Sequence, residues 1–303
     1  MRPFVSASRR TDILAWYTPW FMARIRAGFC QVANPFRPSQ MTTVDLRPEA
    51  VSAIVFWTRR PRPIIPHLSE LTDRGLNFVF HVTITGLPLP FEPSATSEKE
   101  SLEAVDELAR IIGPDRVWWR YDPIILSDVL NPAWHRQTFS RLATTLAGKT
   151  HRVTMSLIDW YRKTERRLAL LESRFGPFRH AAAEDPDVVA LAADLAGLAR
   201  SHNIEPVACC EPAWHAAGIA SGACIDAAAL NQLFNLSTDL VRDPGQRPLC
   251  GCAPSYDIGA NHTCLGGCLY CYATSSHARA ETNHATHNPD SPVLSSPITP
   301  VTA

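Results

Sequence analysis

Neither sign of charge predominates in this chain. Its 303 residues carry 29 Lys and Arg against 29 Asp and Glu. A global basic footprint for nucleic acid is therefore missing, and only a local patch could carry such a contact. No apolar run is long enough to span a bilayer. The opening residues, Met1-Arg-Pro-Phe-Val-Ser-Ala-Ser-Arg-Arg, lack the apolar core of a signal peptide. The expected setting is cytoplasmic, without a membrane contact. Disulfides are rare there, so clustered cysteines point to metal or redox chemistry. Cysteine is nearly missing from the first two thirds of the chain, where Cys30 stands alone and reads as a small buried hydrophobe. The other eight of the nine cysteines fall after residue 208.

The densest group is Cys264-Leu-Gly-Gly-Cys268-Leu-Tyr-Cys271-Tyr-Ala. A C-x3-C-x2-C loop can turn three thiolates toward one iron-sulfur cube and leave its fourth iron open. An open iron supports Lewis-acid or radical chemistry, whereas a fully ligated cluster passes electrons. The spacing, with Tyr270 just before the third cysteine, resembles that of radical S-adenosylmethionine (SAM) enzymes. In those enzymes SAM chelates the free iron, although their loop normally comes early in the chain.

Hydrophobic residues make up 46% of the chain, enough at this length for a substantial core. Short apolar segments at 4–8, 52–58, 77–85, 116–121, 151–157, 204–210 and 255–259 read as strands. Amphipathic stretches between them read as helices. Thr18-Pro19, Ser97 with Glu100, Asn131-Pro132 and Asp185-Pro186 supply start signals; Gly28, Gly113 and Gly148 supply stops. Strand and helix alternate at least six times. This pattern predicts an α/β fold, a full or partial (β/α) barrel of about six to seven parallel strands, with a doubly wound sheet as the alternative. Residues 1–275 read as one domain that includes a C-terminal iron-sulfur segment, 209–272. Residues 276–303 are polar and read as a largely disordered tail. Its histidines, His277, His284 and His287, show no ligand spacing.

A parallel βα sheet places ligands at the C-terminal strand ends. Polar groups recur there: Thr11 and Asp12, Thr58 and Arg59, Thr83 and Thr85, Arg120 and Asp122, Ser156 and Asp159, then Glu211. Arg120 and Asp122 stand two apart on one strand and share a face. A planar guanidinium suits a carboxylate or phosphate, or pairs with its neighbour. Asp12, Arg120 and Asp122 are the candidate catalytic residues. Thr58, Glu211 and Tyr270 are the candidates for holding SAM and substrate.

Three readings of the Cys264, Cys268 and Cys271 triad compete: an open iron-sulfur cluster, a structural zinc completed by Cys252 or His262, and metal-free thiols. Cys209 or Cys210, with Cys224, Cys250 and Cys252, supplies four further ligands, enough for an auxiliary 4Fe-4S cluster. Cys250 and Cys252 are too close in sequence to form an easy disulfide with each other.

The chain resembles a family called domain of unknown function 1848. The matching stretches are Ser6-Ala-Ser-Arg-Arg-Thr-Asp12, Asn34-Pro-Phe36, Ile54-Val-Phe-Trp-Thr58 and Trp119-Arg-Tyr-Asp-Pro123. They continue with Cys224-Ile-Asp226, Gln246-Arg247, Cys250-Gly-Cys252, Asp257-Ile-Gly259, the cysteine triad with Tyr272-Ala273, and Asn288-Pro-Asp-Ser-Pro292. The resemblance implies a C-terminal cluster of the radical SAM kind and no known reaction. The triad loop is also similar to that of the spore photoproduct lyase group, in which a Thr-Asp motif and an Arg-to-Pro motif follow the cluster. Here Thr11-Asp12 and Arg120-Tyr-Asp-Pro123 precede it, as a circular permutation would produce. Strand 255–259 is then expected parallel to strand 4–8, with the cluster loop facing the polar strand ends. The function expected is radical-SAM-type cleavage of SAM and radical chemistry on a substrate the sequence does not name, a small molecule before a nucleic acid. It would be supplied with electrons by a reductase, flavodoxin or ferredoxin-type donor. A non-catalytic iron-sulfur or structural zinc protein is the alternative.

Overall fold

The computed structural model describes residues 2–34, 37, 39–94 and 96–295. Pro35 and Phe36 of one quoted motif, and the tail from 296 onward, lie outside the described residues. Ten strands form among them: β1 Phe4–Ala7, β2 Phe29–Ala33, β3 Met41–Asp45, β4 Ala53–Thr58 and β5 Phe78–Thr83. They continue with β6 Val117–Ile124, β7 Arg152–Leu157, β8 Glu205–Cys209, β9 Ala220–Gly222 and β10 Ser255–Asp257. Eight make one parallel sheet in the order β10-β1-β4-β5-β6-β7-β8-β9. β2 and β3 form a separate antiparallel pair. The large sheet reaches eight strands because β9 joins an edge. Its sequence, Ala-Ser-Gly, has no apolar run to announce it. Gly222 is required there, since a Cβ would lie 2.6 Å from the Cβ of Val207.

The composition of the central strands explains their place. β4 (AIVFWT) and β5 (FVFHVT) are rich in β-branched and aromatic residues and are buried on both faces, as strands covered by helices require. Phe56 packs against Phe21, Phe78 and Phe80 within the main core. Strand order follows the chain without reversal from β1 to β9, so the crevice of a doubly wound sheet does not arise. No pairing among the described residues joins β9 to β10.

Helix boundaries follow the local signals closely. Ser97 and Glu100 form a reciprocal capping box on the helix Glu98–Ile112, and Asn131 caps Pro132–Leu146. Thr18 departs from its expected role: its hydroxyl donates back to the carbonyl of Leu14 at 2.7 Å, and Tyr17 precedes the helix Thr18–Ala27. The helical stretch between β4 and β5 is divided into a 3₁₀ segment, Arg62–His67, and an α-helix, Leu68–Asp73. Pro63 and Pro66 each remove a backbone donor there.

The described part of the polar tail is packed rather than structureless, a correction to its compositional reading. Residues His277–Ala285 form a helix, and Leu294 is buried in the main core. The Trp20 indole donates to the carbonyl of Ser291, and the N–H of Gln31 donates to that of Pro292. Composition scores a segment as though it stood alone, whereas His284 and His287 pack edge-on against the buried ring of Tyr17. No helix among the described residues is long and apolar enough to cross a membrane.

Candidate functional site

Strand β10 lies parallel beside β1, with Phe4 opposite Ser255, Val5 opposite Tyr256 and Ser6 opposite Asp257. This is the pairing expected of residues 255–259. Asp257 fixes the junction. Its carboxylate accepts from the hydroxyls of Ser6 and Ser8 at 2.8 and 2.6 Å, the N–H groups of Arg9 and Gly259, and Arg10 Nε at 3.1 Å. Burial pushes its pKa up, but the Arg10 charge and these hydrogen bonds prevail and hold it below the ordinary carboxylate range. Gly259 has no room for a side chain, since a Cβ would lie 2.0 Å from Ser8 Oγ.

The loop after β10 carries the triad, and Cys264, Cys268 and Cys271 line a cavity of about 430 Å³ at the C-terminal ends of the strands. Several neighbouring units hold this loop. Tyr17 donates to the Thr263 carbonyl at 2.7 Å, and Leu269 N–H to that of Phe91 at 2.9 Å. Arg167, on the helix Arg162–Leu168, donates to the carbonyls of Cys268 and Cys271. Tyr272 donates to the Arg9 carbonyl. Gly266 sits against two of the sulfurs: a Cβ there would be 3.4 Å from Cys264 Sγ and 3.7 Å from Cys268 Sγ. Burial raises the Cys264 thiol to about 11, with the Asp12 carboxylate adding to it. Burial also raises the Cys268 thiol to about 12, against the opposing charge of Arg59.

Tyr270 belongs to a buried network behind the triad. Its hydroxyl donates to Glu92 and accepts from Arg59; Arg59 also pairs with Glu92 at 2.5 Å, and Thr85 donates to Glu92 at 2.9 Å. Tyr270 thus touches the cavity while latching the loop to the ends of β4 and β5. Glu92 escaped the sequence reading because it lies among Pro88, Pro90 and Pro93, seven residues after Thr85, where no strand-end rule reaches. Arg167 escaped it because a helical arginine carries no signal of its target.

Asp12, Thr58, Arg120 and Asp122 all line the cavity. Asp12 is committed to structure: one oxygen accepts from Ala15 N–H at 3.0 Å and the other from Arg59 N–H at 2.8 Å. Burial outweighs these donors and the Thr58 hydroxyl, raising its pKa to about 6. Thr58 also accepts from the N–H of Arg60 at 2.9 Å. Arg120 pairs with Asp122, lies 4.8 Å from the Trp57 ring centroid, and points a second nitrogen at Cys224 Sγ, 3.4 Å away. Glu211 is not among the lining residues. It instead accepts from the N–H of Leu157 at 3.0 Å, joining the ends of β7 and β8, and burial raises its pKa to about 7. Thr11 lines the cavity nearly fully buried, with no hydrogen-bond partner for its hydroxyl among the described residues.

The second cysteine set also meets this cavity. Cys209, Cys224, Cys250 and Cys252 line it, whereas Cys210 does not. Among the described residues, no group of three or more His, Cys, Asp or Glu side chains is arranged to hold a single metal ion. His262 turns toward Ser275. Cys30 is fully buried, and burial raises its thiol to about 12, in keeping with its reading as a core residue.

Residues 4–273 match a family model described as Domain of unknown function (DUF1848). The chain belongs to that family. The DUF1848 match runs from β1 to the end of the triad loop and stops before the packed tail helix. No curated protein matches the chain.

Proposed function

We propose that this DUF1848 protein is a radical-SAM-type iron-sulfur enzyme acting on a small molecule, with Cys264, Cys268 and Cys271 holding an open 4Fe-4S cluster that binds SAM. The observation that carries the reading is the position of the triad loop. Taken in spatial order, the sheet begins with β10, and the loop after this first strand bears the triad. The sheet would then be a partial (β/α) barrel whose first unit has moved to the end of the chain. The residues also fit the group. The absent side chain of Gly266 leaves space beside two of the sulfurs, and the unpartnered Thr11 hydroxyl lies at the same cavity. The cavity volume falls in the range of small-molecule and cofactor sites.

Such a cluster, when bound, would supply the electron that cleaves the sulfonium C–S bond of SAM to methionine and a 5′-deoxyadenosyl radical. The chain's residues do the remaining work. With nothing bound, the buried thiols of Cys264 and Cys268 hold their protons at neutral pH, and a metal cation would displace them. Arg59, Glu92 and Tyr270 fix the loop from behind. Arg120 and Asp122 face the chamber as a pair, offering a donor and an acceptor for substrate or for the charged groups of SAM. Asp12 and Glu211 act by holding strand ends, not by touching the reacting atoms. A cytoplasmic setting with a flavodoxin or ferredoxin-type electron donor suits this chemistry.

The alternative, a metal that only staples the C-terminal segment, draws support from the many bonds between the triad loop and neighbouring units. Electron paramagnetic resonance separates the two readings. Addition of SAM to the anaerobically reconstituted, reduced protein is expected to change the spectrum of the triad cluster. An unchanged spectrum supports the non-catalytic reading, and stoichiometric zinc at the triad would contradict the proposal and support the stapling one.

A further inference from the structure

Five free cysteines from three separate segments meet beyond the end of β8. Cys209 Sγ lies 3.5 Å from Cys224 Sγ and 4.0 Å from Cys210 Sγ. Cys252 interacts electrostatically with Cys224 and Cys250, and Cys250 with Cys210. Cys209, Cys224, Cys250 and Cys252 are buried, Cys210 only partly so.

The groups aimed at these sulfurs are unusual for neutral thiols. Arg120 directs Nη1 at Cys224 Sγ, and the N–H of Ile225 points at Cys252 Sγ, both at 3.4 Å. The guanidinium of Arg120 is held between Asp122 and the Trp57 ring with its side chain 15% exposed. His81 bonds the carbonyl of Cys224 at 2.7 Å and stacks on Trp57. A protonated thiol is a weak acceptor, but a metal-bound thiolate is a strong one, and donors around its sulfur tune the centre.

We infer that Cys209, Cys224, Cys250 and Cys252 form a second centre, a closed tetrathiolate site for a soft, thiophilic metal, which makes one wall of the same chamber the triad lines. Cys210 stands outside it. The backbone of Cys210 turns into the left-handed region at φ 63°, and its sulfur faces Arg247 at 3.4 Å instead of the cavity. These thiols do not stand around a single ion as they are; metal at the centre would replace the direct sulfur–sulfur contacts and draw the four around it. Four thiolates leave no open position, so this centre does not bind substrate; that task falls to Arg120, Asp122 and the triad side. Arg120 is its positioning residue and links the two walls. The inference stands on these thiols and not on the chemistry of the triad, so either can fail alone.

The test uses full-length protein with Cys264, Cys268 and Cys271 all changed to Ala, purified without air. Folded protein, judged by circular dichroism, is expected to retain either about four iron with about four sulfide, or about one zinc, per chain. Either content supports the centre, and the absorption spectrum tells cluster from zinc. Cys210→Ser in this background keeps the metal, and Cys224→Ser loses it. Arg120→Gln keeps the metal and, where it is iron, shifts the reduction potential. A second measurement covers misfolding of the triple variant. In native wild-type protein iodoacetamide should label Cys210 directly, and the other four cysteines of this group only after chelator treatment. Folded triple variant without metal, or a Cys209–Cys224 disulfide in wild-type protein purified without air, would overturn the inference. Protection of Cys210 with labelling of Cys209 would overturn the ligand assignment.

Discussion

The Ser8 hydroxyl donates to the Asp257 carboxylate at 2.6 Å across 249 residues of chain. This contact joins the first strand of the chain to the last. It also explains why Ser6-Ala-Ser-Arg-Arg and Asp257-Ile-Gly, far apart in sequence, act as one unit. Ser6 from within β1 and Ser8 from just past its end both reach the same carboxylate.

Asp257→Ala should therefore cost about 3–5 kcal/mol, the penalty for leaving a buried charge partner such as Arg10 uncompensated. Denaturant unfolding checks this. Because the folded carboxyl is held below its ordinary value, its contribution is full above the unfolded pKa and fades as pH falls through the folded one. A loss under 1 kcal/mol would mean that β10 is held by other contacts.

The latch behind the triad separates two kinds of loss. Tyr270→Phe removes a hydroxyl shared by Arg59 and Glu92 and should cost about 1–3 kcal/mol. Glu92→Gln leaves the Arg59 guanidinium without its buried countercharge and should cost more, about 3–5 kcal/mol. Urea titration of both variants gives the order, and a reversed order would assign the latch chiefly to Tyr270.

His135 offers a pH test away from the cysteines. Its ring lies between the Tyr121 hydroxyl at 2.8 Å and the Ile125 carbonyl at 2.9 Å, and burial lowers its pKa to about 4. The carbonyl needs a donor, so Nε2 carries the proton and Nδ1 accepts from Tyr121. A depressed folded pKa means that the unfolded chain binds the extra proton first. Stability is thus lost as pH falls from about 6.5 toward about 4, by up to about 3 kcal/mol for this group. Raised carboxyls such as Asp12 act in the opposite sense. The difference between wild type and His135→Gln over this range therefore isolates the histidine, and parallel curves would contradict the assignment.

Much of the site was legible in the sequence because strand ends announce themselves. Apolar runs ending in Thr58 or Arg120 mark both a strand and the point where its chain reaches the cavity. The pairing of β10 with β1 could be read from motif order alone, since β10 carries its own signature in Asp257-Ile-Gly. What stayed hidden was the target of each polar group. Asp12 and Glu211 both look like cavity residues in sequence; Asp12 does line the cavity while Glu211 does not, and both accept from backbone N–H groups, which depends on neighbouring loops. Glu92 and Arg167 act across units and have no local pattern. β9 was invisible because three small residues pair through backbone alone, and the tail because Val293-Leu294 is a single short apolar pair between polar residues.

The most direct test of the account is cleavage of SAM. Protein reconstituted with iron and sulfide without air, then reduced with dithionite, is given SAM and assayed for 5′-deoxyadenosine. The account predicts product from the wild-type chain and none from Cys268→Ala. A fully loaded, reduced protein that forms no 5′-deoxyadenosine, or equal product from the variant, would contradict it.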